Sequence, residues 1–292
     1  MRFARSKKRP RKSPLGGRRR RMFRIKMVLL FLVVVVILGV FWKLLRLPEV
    51  VVEDISISGN TITKTEELRT VIEEELSGTY FFFIPKNSEF FLPRHSIEKE
   101  IISRFPRIES AEASLQGGDA LLLEVSERTP HALWCGDVYL NTEDELGHCY
   151  FMDDTSFVFA KAPDFTGNIF FKYFGALDDP DFSASSSPLG HVYMQEADFS
   201  GLEVFLEAFK ELGYIPVSFA KIGDGDVSVR MKSGVEILYG RDMRLAVVLD
   251  NLQSVLESNA FSNIAQEDVE YIDLRFGSKV YYKLRGGERV GG

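Results

Sequence analysis

Five glutamates, four histidines and two cysteines are the residues of this 292-residue chain whose chemistry has to be decided first. Glu66, Glu67, Glu73, Glu74 and Glu75 would suit acid–base cleavage of a glycosidic bond if two of them faced each other across a cleft. Their spacing instead places them mostly on the polar side of one helix, the pattern of a solvated face. The histidines are scattered, and none stands in an HExxH motif or beside a recognisable nucleophile. His131, Cys135, His148 and Cys149 are near one another in sequence, yet H-x3-C followed by H-C fits no common zinc spacing. Adjacent strand residues also point to opposite faces, so His148 and Cys149 would not converge on one ion. Gly223-Asp224-Gly225-Asp226 looks like a calcium loop but lacks a bidentate acid at the required spacing, and reads as a turn between strands. Gly286–Gly292 (GGERVGG) reads as a flexible tail and not as a phosphate loop. No catalytic set, cofactor or metal site is therefore expected. Cys135 and Cys149 leave two readings open: a disulfide across a hairpin that turns at NTEDELG, or two small core residues.

The elements that would position these residues begin with a segregation of charge. Residues 1–26 hold 13 Lys or Arg and no acid, which leaves 23 basic against 42 acidic groups in the rest of the chain. Between the two zones lies Met27–Trp42, sixteen residues without a charge; Leu44, Leu45 and Leu47 extend it if Lys43 and Arg46 snorkel. A transmembrane helix over 27–47 is expected, long enough for a hydrocarbon core of ~30 Å. No A-x-A-like site follows it, so it reads as an uncleaved anchor rather than a signal peptide. The positive-inside rule keeps the tail in the cytoplasm and exports everything after about Pro48. The tail should touch anionic lipid and not nucleic acid, because only Phe3 and Phe23 interleave its basic residues.

Beyond the anchor, Val50–Ser58 alternates as a strand, and Thr63 precedes Glu66 at capping-box spacing. Leu68, Val71, Ile72 and Leu76 then mark one face of a helix that Gly78 stops, and Tyr80–Pro85 begins a loop. Ser96 is placed to cap a second helix carrying Ile97, Ile101 and Phe105, closed by Pro106. Two strands follow, with Ala111, Ala113 and Leu115 on one and Leu121, Leu123 and Val125 inward on the other. The order β-α-α-β-β over 50–128 predicts an α+β module with helices on one face of a small sheet. Past Arg128-Thr129-Pro130 the texture becomes strand-rich. Asp178–Asp181 and Ser183–Pro188 read as an exposed loop, and two helices are expected near Leu202–Phe209 and over Asp242–Ser258. Val269–Phe276 and Lys279–Leu284 read as the closing strands.

A basic tail, one anchor, this module, a strand-rich domain over 129–285 and a late IDLR together resemble the FtsQ/DivIB family of bitopic bacterial division proteins. The module looks like that family's POTRA domain, with VVVEDISISGN as its opening strand. SRFPRIESAEASLQGGDALLLEVSERTPHALW is similar to the family's passage into its β domain, including the E-R-x-P junction at Glu127, Arg128 and Pro130. YIDLRF followed by VYYKL looks like the family's last strands. The likeness covers about residues 20–285 and is loosest over 153–200. One departure is LNTEDELG, where the family often has VD-x-x-G and a shorter turn.

The resemblance implies a non-enzymatic scaffold at the division septum. It would link an FtsB/FtsL-like (DivIC-like) coiled-coil pair to the septal peptidoglycan synthase complex. Partner binding in the family is by strand addition at the C-terminal edge of the β domain, which suits the physics of an unpaired edge. By that likeness Lys279, Val280, Tyr281, Tyr282, Lys283 and Leu284 form the edge, with Tyr271 and Arg275 on the neighbouring strand. Tyr282→Pro would then remove the partner and spare the fold. The alternatives are another POTRA-bearing docking or export protein of the envelope, or a membrane-tethered wall hydrolase.

Overall fold

The computed structural model describes residues 14–44, 51–52, 54–80, 84–117, 119–137, 149–165, 167–179, 182, 187–223, 225–259, 261, 264–277, 279–287 and 289–291. The first element, α1 (Pro14–Leu44), begins well inside the basic tail, earlier than the expected 27. Residues 45–47, the end of the expected span, lie outside the described residues. Within α1 the stretch Arg21–Lys43 has 23 residues, about 34 Å at a rise of ~1.5 Å per residue. This helix is long and apolar enough to cross a membrane, and its large apolar side chains from Met22 to Trp42 are exposed.

The rest of the protein is α+β. By internal contacts the chain divides into one unit of Met1–Glu100 with Glu112–Val125, and a second of Ile101–Ala111 with Ser126–Gly292. The three-stranded sheet uses β1 (Asp54–Ser58), followed by α2 (Thr65–Leu76), a small hairpin of β2 (Thr79–Tyr80) and β3 (Ile84–Pro85), and α3 (Arg94–Arg104). It is completed by β4 (Ile108–Gln116) and β5 (Ala120–Glu127) in the spatial order β1-β5-β4, with β1 parallel to β5. A parallel pair needs a long crossover, and the helices lie within it. Leu121, Leu123 and Val125 are buried at every second position of β5, as a half-covered sheet requires. The apolar side of α2 (Leu68, Val71, Ile72, Leu76) and Ile97 of α3 are buried with them.

Two expected caps are not made. The residue preceding α2 is Lys64, without a side-chain cap; Asn60 Nδ2 donates instead to Thr63 O (2.8 Å) and Thr65 Oγ1 (3.0 Å), so the entry turn is held from further back. Ser96 lies inside α3, because Pro93 suits a helix start and its carbonyl already accepts the Ile97 N–H at 3.0 Å. The loop expected from Tyr80 contains β2 and β3, while Phe81–Phe83 lie outside the described residues.

The second unit is built on a ten-stranded sheet. Its elements are β6 (Ala132–Trp134), β7 (Tyr150–Met152), β8 (Val158–Lys161), β9 (Lys172–Phe174), α4 (Glu196–Glu211), β10 (Pro216–Ile222), β11 (Asp226–Met231) and β12 (Glu236–Gly240). After these come α5 (Leu245–Leu256), β13 (Val269–Phe276), β14 (Lys279–Leu284) and β15 (Arg289–Gly291). The spatial order is β15-β14-β13-β12-β11-β10-β9-β6-β7-β8. Two of its parallel pairs, β9/β10 and β12/β13, are each bridged by one helix, α4 and α5 respectively. The antiparallel steps between them leave β9 and β12 pointing the same way, and both crossovers step toward β15. Right-handed crossovers must then put both helices on one face of the sheet. One apolar core accordingly joins Phe199, Leu202, Phe205 and Phe209 of α4 with Val248 and Leu252 of α5 and the inward residues of the strands.

The segment 161–200, in which the sequence marks a loop only at Asp178–Asp181 and Ser183–Pro188, supplies β9, a strand parallel to both β10 and β6 in the middle of the sheet. It also supplies Tyr193, fully buried, whose hydroxyl donates to Phe174 O at 2.7 Å. Of its expected loop, 180–181 and 183–186 lie outside the described residues. On the opposite face, Leu133, Cys135, Phe174 and Ala220 form a smaller core covered by Phe151, Phe165 and Phe170. Cys135 and Cys149 are joined by a disulfide, Cα–Cα 4.2 Å. Cys135 N–H donates to Tyr173 O and Cys149 O accepts from Ala162 N–H, each at 2.9 Å, so their backbones turn away from each other. Their sulfurs therefore meet across adjacent strand ends, and the reading of two free core cysteines is set aside. The turn NTEDELG and His148 lie outside the described residues.

Candidate functional site

Both closing strands form with the bounds read from the sequence, and β14 pairs antiparallel with β13. The register sets Tyr271 opposite Lys283, Ile272 opposite Tyr282, and Asp273 opposite Tyr281. Alternation then divides β14 between two faces. Val280, Tyr282 and Leu284 pack against the main core, and the Tyr282 ring meets Phe261 edge-on at 4.7 Å. Tyr281 lies on the other face, its ring edge-on to Phe276 at 5.2 Å. On that face Lys283 Nζ pairs with Glu270 (2.8 Å). Tyr281 and Tyr282, both expected on the partner-binding edge, are thus separated: Tyr282 packs on the core and Tyr281 lies on the other face. Tyr282→Pro would strike packing and pairing together, which corrects the expectation that it spares the fold.

Arg275 is held by two carboxylates. Its Nε and a terminal nitrogen donate to the two oxygens of Asp273 at 2.8 and 2.7 Å, and its other terminal nitrogen pairs with Asp226. The hydrogen bond to Asp273 is the main reason its pKa rises further, so the charge is fixed in an internal clamp. Asp273 is itself buried, which makes the clamp a structural tie between β11 and β13.

Lys279–Leu284 is not the last strand of the sheet. β15 pairs antiparallel with β14, setting Tyr281 opposite Gly291, Tyr282 opposite Val290 and Lys283 opposite Arg289. The tail expected to be flexible over 286–292 therefore contains the outermost strand. Gly287 N–H donates to Leu284 O at 3.0 Å, and Gly286 has φ +75°, the geometry of a turn whose third residue must be left-handed. Gly286-Gly287 after an alternating run was a legible hairpin signal, and it is the one the sequence reading missed.

Among the described residues, two cavities lie elsewhere in this unit. The first, about 400 Å³, is lined by Asp178, Asp198, Phe219, Lys221, Tyr239 and Arg241 among others. Lys221 Nζ donates to Tyr193 O (2.8 Å) and Ala176 O (3.2 Å) and sits 4.0 Å from the Tyr193 ring centre. Burial, then the nearby Arg241 charge, lowers its pKa to about 8, with Asp178 opposing. The second, about 340 Å³, is lined by His131, Tyr173, Glu203, Glu207 and Lys210, with His131 Nε2 against Glu203 and Lys210 against Glu207. Burial foremost, and then the Glu203 charge, pushes the Tyr173 hydroxyl well up. Lys221 in the first cavity is held by backbone carbonyls, and His131 and Lys210 in the second by glutamates, contacts that tie elements together. Glu66, Glu67, Glu73 and Glu74 are exposed along α2 and converge on no cleft. Among the described residues no three His, Cys, Asp or Glu side chains are grouped to hold a metal ion.

No protein-family model matches the chain, and no curated protein matches it significantly.

Proposed function

We propose that this protein is a non-enzymatic scaffold of the bacterial division machinery, similar in role to the FtsQ/DivIB proteins that its sequence resembles. In this reading α1 is a single-pass anchor in the cytoplasmic membrane, with the basic tail inside and both folded units outside. The first unit acts as a POTRA-like docking module. The C-terminal end of the ten-stranded sheet receives an extended segment from an FtsB/FtsL-like (DivIC-like) pair and holds that pair beside the septal peptidoglycan synthase.

The observation that carries the reading is the order of elements. A basic apolar helix is followed by a β-α-α-β-β arrangement whose first and last strands pair, and then by a strand-rich unit that ends in the YIDLRF and KVYYKL strands.

The test is co-purification of the coiled-coil pair with the full chain from detergent-solubilised membranes. Tyr281→Ala removes a surface ring at the sheet end and is expected to lower recovery about tenfold, the effect of losing one anchor of ~1.4 kcal/mol. Its thermal stability should remain near that of the parent, whereas Tyr282→Ala should lose stability through its contact with Phe261. Unchanged recovery with Tyr281→Ala would remove Tyr281 from the binding surface. No recovery of such a pair with the parent chain would contradict the scaffold itself.

A further inference from the structure

β15 occupies the position that an added strand would take. It is antiparallel to β14, it covers Tyr281, Tyr282 and Lys283, and it is supplied by the chain itself through a tight turn at Leu284–Gly287. We propose that β15 is a placeholder: it closes the sheet edge in the free protein and must leave before an extended partner segment can pair with β14. The proposal rests on the strand-addition reading of the proposed function and adds to it a regulated step.

Several features make β15 suited to leave. It pairs over three residues only, while the β13–β14 pairing spans the whole of β14. Gly286 and Gly287 precede it in the sequence, Gly292 follows it and Gly291 is its last residue, and glycine gives up the most backbone freedom when it is ordered. β14 loses none of its anchoring when β15 departs, because Val280, Tyr282 and Leu284 are held by the core and by β13. An edge of this kind is protected against unwanted pairing with other chains until a longer, better-matched strand competes for it. A partner segment that pairs along Lys279–Leu284 would match six positions instead of three.

The experiment uses the full chain in living cells of the source organism, with a photo-crosslinking residue at position 279. Lys279 is exposed and lies outside the three residues that β15 covers. Three backgrounds are compared: the parent; a chain ending at Leu284; and Lys283→Cys with Arg289→Cys, whose disulfide locks β15 in place. Lys283→Ser with Arg289→Ser controls for the substitutions. Expected are an adduct with a membrane protein in the parent, at least a fivefold increase on truncation, and loss of the adduct in the locked chain but not in the serine control. An equal adduct in the locked and control chains would overturn the proposal, since the partner would then bind with β15 in place. The same adduct in the parent and the truncated chain would overturn it too. No adduct in any background, the truncated chain included, would reject strand addition itself.

Discussion

Lys221 concentrates the residue-scale physics of the second unit. Its aliphatic stem packs so closely on Gly175 that a Cβ there would approach the Lys221 Cβ to 2.6 Å, and its ammonium holds the carbonyls of Ala176 and Tyr193. With a folded pKa near 8 against an unfolded 10.5, both states are charged below about pH 8, and the full cost of burying the ammonium is present there. Between pH 8 and 10 the unfolded chain holds more protons than the folded one, so stability rises with pH. The buried hydroxyls of Tyr173, Tyr193 and Tyr239 have raised pKa values, chiefly through burial, and act in the opposite sense. Above pH 10 the unfolded chain sheds phenolic protons that the folded state keeps, and stability falls. Urea unfolding of the full chain in detergent should show the rise from pH 8 to 10 and the later fall. Lys221→Met should abolish the rise and keep the fall; a rise unchanged in that variant would assign it to another group. None of this was visible from the sequence, where Lys221 is one lysine at the end of a strand; its burial depends on the chain returning through 176–193.

At the scale of elements, what could be read was whatever has a strong local period. The apolar face of α2, the alternation of β5, and the bounds of β13 and β14 all follow from residue spacing within one element. β9 was not legible because it has three residues and is buried on both faces, with Tyr173 in the main core and Phe174 in the smaller one. Such a strand has no alternation to detect, and its place in the sheet is fixed by parallel partners that are distant in sequence. The helix starts were misread for a related reason: Thr63 and Ser96 have capping chemistry, but Asn60 and Pro93 act first. In the candidate site, the strands and their residues were legible, while the separation of Tyr281 from Tyr282 and the cover by β15 required the register. Gly59 shows how one backbone position sets the β1–β5 pair. It has φ +87°, and a Cβ there would lie 1.9 Å from Val125 O. Gly59→Ala should therefore destabilise the protein by roughly 2 kcal/mol or more. Gly78→Ala, with φ +88° and open space around it, should cost about 1 kcal/mol. Equal losses in denaturant midpoints would mean that the approach to Val125 is relieved by movement of β5.

At the scale of the whole molecule, an N-terminal helix long and apolar enough to cross a membrane precedes two folded units. A chain so built is suited to hold partners at a surface, and the proposed place for that surface is the division septum. Location in dividing cells tests this most directly. A fluorescent protein fused to the N-terminus, in a strain of the source organism where the fusion is the sole copy, would be imaged through the cell cycle and then depleted. The account predicts a band at mid-cell during constriction, and filamentous cells on depletion. Uniform membrane fluorescence with normal division after depletion would contradict it.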